Sequence, residues 1–174
     1  MVEKAGVGFM FAPMHHSAMK YAIGPRKEMA VRTIFNVLGP LTNPAGVKHQ
    51  VVGVFAPSLT ETIAQVLQHL GSEHAVVVHS DDGMDEISIC APTRVTELHA
   101  GKLSSYTVQP ADFGLKAAPV ESIVVGNPAE SLALIDAVLD GEKSPARDIV
   151  VLNAGAGIYV CLLYTSPSPR DLAQ

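Results

Sequence analysis

The sequence predicts an α/β fold in which a central, mostly parallel sheet is flanked by helices. Three consecutive segments support this prediction: a strand-like HQVVGVFA (49–56), a helical SLTETIAQVLQHLG (58–71) and an apolar HAVVVHS (74–80). A strand, a helix and a second strand of these lengths form a βαβ unit, and its right-handed crossover makes the two strands parallel. The rest of the chain is interpreted around this unit.

The helix 58–71 has one apolar face, because its apolar residues recur at the spacing i, i+3, i+4 and i+7 (Ile63, Val66, Leu67 and Leu70). Ser58 or Thr60 is expected to cap its start, and Gly71 to end it. The three consecutive valines of segment 74–80 predict a strand buried on both faces.

Further elements are predicted on both sides of the βαβ unit. Before it, a short strand covers 7–12, a short helix covers about 16–23, and RTIFNVLGPLTNPAG (32–46) contains Gly-Pro and Asn-Pro turn signals. After it, residues 87–109 read as a hairpin that turns at 100–102. Two helices follow, at 127–142 with Asn127 as cap, Pro128 in its first turn and Gly141 as stop, and at 144–160 after Ser144-Pro145.

The composition is typical of a cytoplasmic globular chain. Its 174 residues suit one domain, its hydrophobic fraction of 48% excludes a disordered chain, and two cysteines are too few for a disulfide scaffold. No apolar run approaches the roughly 20 residues of a membrane-spanning helix. A net charge of −5 argues against nucleic acid as a partner.

The last segment, CLLYTSPSPRDLAQ (161–174), differs in composition from the helix that it interrupts. Back-translated, most of it is compatible with a transposase-adapter sequence used in DNA sequencing libraries. We therefore expect residues 1–160 to be part of an α/β domain and residues 161–174 to be a non-native tail.

Two clusters of polar residues are candidate sites. In HSDDGMDEIS (79–88) four carboxylates follow the carboxyl end of a predicted strand, the edge where open α/β sheets bind ligands. The spacing does not fit an EF-hand, whereas adjacent Asp85 and Glu86 suit Mg²⁺; a solvated loop is the alternative. In MHHSAMKYAIGPRK (14–27), Arg26 and its neighbours form either an anion pocket or a solvated basic helix face.

Three segments, GVGFMFAPMHHSAMK, RTIFNVLGPLTNPAG and HSDDGMDEIS, occur in the order found in the anthranilate phosphoribosyltransferase family, and the chain resembles that family from about residue 5 to 160. The resemblance implies transfer of phosphoribose from 5-phosphoribosyl-1-pyrophosphate to anthranilate, with release of pyrophosphate, in tryptophan biosynthesis. It also implies the phosphoribosyltransferase/nucleoside-phosphorylase class II type of fold, here without the N-terminal helical domain.

The resemblance assigns roles to individual residues. It implies that Asp85 and Glu86 ligate the Mg²⁺ that binds the pyrophosphate of the donor, while Asp82 and Gly83 shape their loop. For the acceptor site, it implies that Arg26 pairs with the anthranilate carboxylate and that His16 and Pro13 line the acceptor channel. Met19 is at a position where some members carry tyrosine, and Gly39 is in a tight Leu-Gly-Pro turn.

Parts of the family pattern are missing from this sequence. The glycine-rich phosphate loop, the Lys-His-Gly-Asn segment, the serine-rich donor-binding turn and the helical dimerisation domain all precede the region matched here. We therefore expect the intact protein to be a homodimer, and the 174-residue chain to lack the dimer interface and to be inactive alone.

Two other interpretations stay open. Pyrimidine-nucleoside phosphorylases share the broader fold but should lack the His16/Arg26 arrangement and the Asp85-Glu86 pair. Some homologues of the family bind nucleic acid through a basic surface, which 12 Lys and Arg against 17 Asp and Glu do not favour.

Overall fold

The computed structural model describes residues 2–10 and 35–161 of the chain. The chain divides into two compact units, Met1–Gly46 and Val47–Gln174, which are described one at a time. The expected boundary between residues 160 and 161 stays a prediction.

The first unit contains two short helices among its described residues, α1 (Val2–Ala5) and α2 (Phe35–Leu41). The predicted strand 7–12 is wrong over its described part, because residues 7–10 have no regular secondary structure. The side chain of Phe9 is 86% exposed. No strand pairs with this segment in the described part of the chain, and a lone strand is not stable in water. The predicted helix 16–23 lies outside the described residues.

The predicted tight turn at Leu38-Gly39-Pro40 is also wrong, because these residues are part of α2. Proline removes one backbone donor, and near the end of a short helix this costs a single hydrogen bond. The Thr42 amide donates to the Leu38 carbonyl at 3.0 Å, and the Thr42 hydroxyl donates to the same oxygen at 2.9 Å. The chain turns instead at Asn43–Gly46, the second predicted turn signal, where Gly46 has a φ of 59°.

The second unit begins with the predicted βαβ unit, made of β1 (His49–Gly53), α3 (Leu59–His69) and β2 (His74–Ser80). The two strands are parallel and pair in register from His49↔His74 to Gly53↔Val78. Gly71, with a φ of 82°, ends α3 as predicted. The predicted side-chain cap is absent: Ser58 occupies the cap position in a helical conformation, from which its hydroxyl makes no capping bond.

The sheet continues through a hairpin, β3 (Thr93–His99) and β4 (Lys102–Val108), in the order β1-β2-β3-β4. Ala100 and Gly101 form the turn, both with positive φ (48° and 74°), and such a two-residue connection joins antiparallel strands. The α/β class is therefore confirmed, whereas the described sheet is mixed and not mostly parallel. Only the β1–β2 pair is parallel among the described strands; the β2–β3 and β3–β4 pairs are antiparallel.

Two further helices, α4 (Pro128–Leu139) and α5 (Pro145–Cys161), follow two short 3-10 turns, Pro110–Phe113 and Val120–Ser122. The predicted caps are observed: the Asn127 side chain accepts from the Glu130 amide at 3.0 Å, and the Ser144 hydroxyl accepts from the Arg147 amide at 3.3 Å. Gly141, with a φ of 84°, ends α4 as expected.

The core consists of the sheet covered by one helix on each face. All seven residues of β2 are buried, as their apolar run predicted. One face of the sheet packs against α3, whose Ile63, Ala64 and Leu67 are buried. Residues of the opposite face form a buried cluster with α5 and the segment that follows β2 (Val76, Val78, Ile87, Val95, Val108, Ala156 and Val160).

A buried carboxylate ties α5 to the sheet. Glu97 of β3 is 7% exposed, and its Oε1 accepts hydrogen bonds from the Tyr159 hydroxyl at 2.7 Å and His74 Nε2 at 2.8 Å. Its Oε2 accepts from the Tyr106 hydroxyl at 2.9 Å. Burial opposes ionisation, but these hydrogen bonds outweigh it and lower the pKa of Glu97 below its usual value.

We predict that Glu97→Gln lowers the free energy of unfolding by about 1–3 kcal/mol at neutral pH, because it weakens charge-assisted hydrogen bonds in a buried site. Since the folded-state pKa is lower than the unfolded one, ionised Glu97 contributes stability above about pH 4.3. That contribution is lost as the pH falls through the folded-state pKa. Urea unfolding between pH 7 and pH 2.5 should show the difference between wild type and variant shrinking in acid.

Asp136→Asn is the matched control, because Asp136 is exposed on α4 and its carboxylate has no partner in the described part of the chain. It should leave the unfolding free energy within about 0.5 kcal/mol of the wild-type value. A Glu97→Gln penalty that stays constant down to pH 2.5 would contradict the pKa assignment.

Candidate functional site

The acidic loop, defined as residues 81–86, lies directly after β2, at the carboxyl edge of the parallel strand pair. Two backbone hydrogen bonds close it: the Ser80 amide donates to Met84 O and the Gly83 amide donates to Ser80 O, both at 2.9 Å. Gly83 has a φ of 91°, which side-chain-bearing residues rarely adopt. The prediction that these carboxylates follow the carboxyl end of a buried strand is thus confirmed.

Asp82 uses both carboxylate oxygens to build the loop. Its Oδ1 accepts from the Met84 amide at 3.0 Å, and its Oδ2 accepts from the Ser88 hydroxyl at 2.5 Å. Partial burial raises the pKa of Asp82, but the hydrogen bonds from Ser88 and Met84 outweigh it and hold that pKa below its usual value. Asp82 therefore shapes the loop as an ionised acceptor.

The segment after the loop is fixed by hydrogen bonds to the start of β3. The Ser88 amide donates to Thr93 Oγ1 at 3.0 Å, and the Cys90 amide donates to the Ser88 hydroxyl at 2.8 Å. The Asp81 amide donates to the Pro92 carbonyl at 2.9 Å. Burial raises the pKa of the Cys90 thiol, which makes the thiol less reactive.

Asp85 and Glu86 are exposed, and their carboxylates make no hydrogen bond or ion pair within the described ranges 2–10 and 35–161. Their backbone, in contrast, is closely packed. A Cβ at Gly53, the last residue of β1, would overlap the carbonyl oxygen of Asp85 and lie 2.6 Å from its carbonyl carbon. The backbone of Asp85 thus contacts β1 directly, and only glycine allows this approach.

The donor set of the loop fits Mg²⁺ better than other metals. Asp85 and Glu86 offer two adjacent carboxylates, and the described residues contain no group of three or more His, Cys, Asp or Glu that could hold a metal ion. Zn²⁺ sites need three or four protein ligands, and Ca²⁺ sites need more oxygens. Mg²⁺ is bound by one or two carboxylates and keeps waters and substrate phosphates as its other ligands.

Asn153, in the middle of α5, contacts Ile87, the residue that follows the acidic loop. This residue of α5 was not identified from the sequence. Its Nδ2 donates to the Ile87 carbonyl at 2.9 Å and to the Ile149 carbonyl at 3.0 Å, and its Oδ1 accepts from the Ile87 amide at 3.0 Å. One signal could have found it: Asn153 is i+4 from buried Ile149 and i−3 from buried Ala156, so it is a polar residue on the buried face of a helix.

His79 joins the carboxyl ends of the two parallel strands. It is 8% exposed, and its Nδ1 donates to the carbonyl of Val54 at 2.8 Å, which fixes the tautomer with the proton on Nδ1. The Val54 amide donates to Val78 O at 2.9 Å. His79 thus lies beside the acidic loop, at the edge of the sheet that carries it.

The residues predicted to bind the acceptor are not assembled in the described part of the structure. Pro13, His16, Met19 and Arg26 lie outside the described residues. Gly39 is exposed in α2 of the first unit, where a Cβ would meet no atom of the described residues within 4 Å. Of the predicted metal-binding residues, Asp85 and Glu86 are both described, and they are sequence neighbours in the acidic loop. Among the helices it describes, none is long and apolar enough to span a membrane.

Comparison with known proteins shows which family the chain belongs to. Residues 1–168 match the family described as "Glycosyl transferase family, a/b domain". The chain is 61% identical over 161 residues to the anthranilate phosphoribosyltransferase of Marinomonas sp. (strain MWYL1), covering 91% of this chain and 46% of the relative. It is 57% identical over 169 residues to that of Saccharophagus degradans, covering 95% and 50%.

Solved structures of anthranilate phosphoribosyltransferases are also similar to this chain. The crystal structure of anthranilate phosphoribosyltransferase from Thermus thermophilus has a TM-score of 0.86 at 42% identity, covering 99% of this chain and 50% of that one. The Saccharomyces cerevisiae protein in complex with PRPP and Mg has a TM-score of 0.70 at 28% identity, covering 79% and 40%. The chain spans about half the length of the curated relatives it matches. Because the family match covers nearly its whole length, the chain belongs to the glycosyl transferase family and represents the α/β domain of that family.

Proposed function

We propose that this chain is the α/β part of an anthranilate phosphoribosyltransferase. The reaction transfers phosphoribose from 5-phosphoribosyl-1-pyrophosphate to the amine of anthranilate and releases pyrophosphate, a step of tryptophan biosynthesis. The observation that carries the proposal is the acidic loop, whose two unpartnered carboxylates, Asp85 and Glu86, stand at the carboxyl edge of a parallel strand pair in the part of the chain that the structure describes. The names of the relatives, and the yeast complex with PRPP and Mg, support it.

Asp85 and Glu86 are the residues that would hold Mg²⁺. When bound, Mg²⁺ neutralises negative charge on phosphate oxygens and so favours departure of pyrophosphate. The chain's own part is to present two carboxylates whose backbone is already fixed and whose oxygens have no competing partner among the described residues. Asp82 is less available for this task, because each of its oxygens already accepts a hydrogen bond within the loop.

We propose the acceptor site from the sequence pattern. Arg26 offers a planar pair of donors that matches the carboxylate of anthranilate, and His16, Pro13, Met19 and Gly39 line the path of its ring. An aniline-type amine is nucleophilic in its neutral form, so orientation of the nitrogen contributes more than proton removal. We assign no general base.

For metal binding, we predict that Asp85→Asn combined with Glu86→Gln weakens Mg²⁺ binding at least about tenfold, because both ligand charges are lost. Titration calorimetry with MgCl₂ and inorganic pyrophosphate measures this directly. Asp81→Asn is the matched control: Asp81 is an exposed carboxylate of the same loop, so its variant has the same charge change at one position. Equal Mg²⁺ affinity in the wild type and the double variant would refute the assignment.

For activity, the gene should be extended on both sides from its source DNA to the full length of the relatives. We expect the extended protein to consume anthranilate only in the presence of 5-phosphoribosyl-1-pyrophosphate (PRPP) and Mg²⁺. The loss of anthranilate fluorescence measures this consumption. Asp85→Asn should lower kcat at least about 100-fold, since it removes charge stabilisation of the leaving group. An extended protein that leaves anthranilate unchanged but cleaves a pyrimidine nucleoside with phosphate is a nucleoside phosphorylase, and the proposal is then wrong.

A further inference from the structure

We infer that Asn153 is a positioning residue for the acidic loop and acts on Asp85 and Glu86 through the backbone of Ile87. The inference rests on the proposed function, because it concerns the residue that fixes the two carboxylates assigned to Mg²⁺. Asn153 lies 66 residues from Ile87 along the chain, so the contact joins two elements that only the folded structure brings together.

The contact engages both backbone groups of one residue. The Ile87 amide donates to Asn153 Oδ1 at 3.0 Å, and Asn153 Nδ2 donates to the Ile87 carbonyl at 2.9 Å. A carboxamide is suited to this task because it carries a donor and an acceptor on one planar group. The second donor of Nδ2 is directed at Ile149 O, 3.0 Å away and one turn earlier in α5, which fixes the side-chain rotamer.

The presence of asparagine at this position is not explained by helix formation or by core packing. Asparagine forms helices less readily than alanine, and α5 places it on the face that carries buried Ile149 and Ala156. A half-buried amide is costly unless its polar atoms find partners. Here two of its three hydrogen bonds are made to the backbone of Ile87, the residue that follows the acidic loop.

The effect reaches the carboxylates through a short, fixed backbone. The side chain of Ile87 is 3% exposed in the core beneath α5, so residue 87 is held by its side chain and by both backbone groups. Two residues earlier, the carbonyl of Asp85 lies against Gly53. Asp85 is therefore anchored at its own carbonyl and Glu86 lies between two anchored residues, since consecutive Cα atoms are only about 3.8 Å apart. Their backbone is set while their carboxylates stay available for an outside ligand.

The test is Asn153→Ala in the protein extended to the full length of the relatives, with hydrogen exchange of single amides and Mg²⁺ titration in the presence of pyrophosphate as two readouts. We expect the Ile87 amide to exchange at least about fivefold faster, the factor that corresponds to one typical hydrogen bond. Mg²⁺ affinity should fall about tenfold or more, as for other residues that orient a metal ligand from outside its coordination shell. Amides of α3, on the opposite face of the sheet, should keep their exchange rates.

Two further variants separate positioning from packing. Asn153→Gln keeps the carboxamide and should recover part of the Mg²⁺ affinity, which a purely structural role does not predict. Val151→Ala is the control in the same helix, because Val151 is 51% exposed, and it should leave Mg²⁺ affinity unchanged. If Asn153→Ala does not fold, Asn153→Asp replaces it: the variant keeps an acceptor for the Ile87 amide and loses the donor to the Ile87 carbonyl.

The outcomes distinguish this inference from the proposed function. Equal Mg²⁺ affinities of wild type and Asn153→Ala overturn the inference alone, even if Ile87 exchanges faster, because Asn153 is then structural. An extended wild-type protein that binds no Mg²⁺ with pyrophosphate, while Ile87 exchange still depends on Asn153, overturns the metal assignment of the proposed function and the inference with it. Loss of affinity in Asn153→Ala with partial recovery in Asn153→Gln supports both.

Discussion

Four carboxylates within six residues repel one another, and the architecture around the acidic loop is organised by the need to hold them together. The anchoring contacts are made by the backbone and by Asp82, which leaves Asp85 and Glu86 without partners among the described residues. A loop fixed by its own ligand carboxylates would have to break those contacts before binding a cation. The present arrangement separates the two tasks, so that Asp85 and Glu86, the proposed ligands, remain free while their positions are set.

The rest of the second unit provides the surfaces for that anchoring. The parallel pairing of β1 and β2 brings their carboxyl ends to one edge, where Gly53 meets the loop backbone and His79 donates to Val54 O. On the other side, α5 covers the sheet, and its Asn153 is hydrogen-bonded to the backbone of Ile87. Farther along α5, Tyr159 donates to Glu97 of β3. One helix thus connects the loop to the interior of the sheet.

Local sequence signals predicted the elements that depend on local chemistry. The βαβ unit, the buried run of β2, the hairpin turn at Ala100-Gly101 and the cap at Asn127 follow from periodicity, valine content and turn geometry. The antiparallel pairing of β3 with β2 did not follow, because it depends on which strand pairs with which. The tight turn expected at Leu38-Gly39-Pro40 failed because a proline near the end of a helix costs only one hydrogen bond.

The site was predicted unevenly for the same reason. The proposed ligands Asp85 and Glu86 are adjacent, so the sequence alone suggests them, whereas the contact of Asn153 with Ile87 spans 66 residues. The most direct measurement is paramagnetic broadening of amide NMR signals by Mn²⁺, used in place of Mg²⁺ with pyrophosphate. The account predicts that residues 81–87 and Gly53 broaden first, and that Asp85→Asn with Glu86→Gln abolishes the effect. Broadening centred elsewhere, or unchanged in the double variant, would contradict the claim that the acidic loop holds the metal.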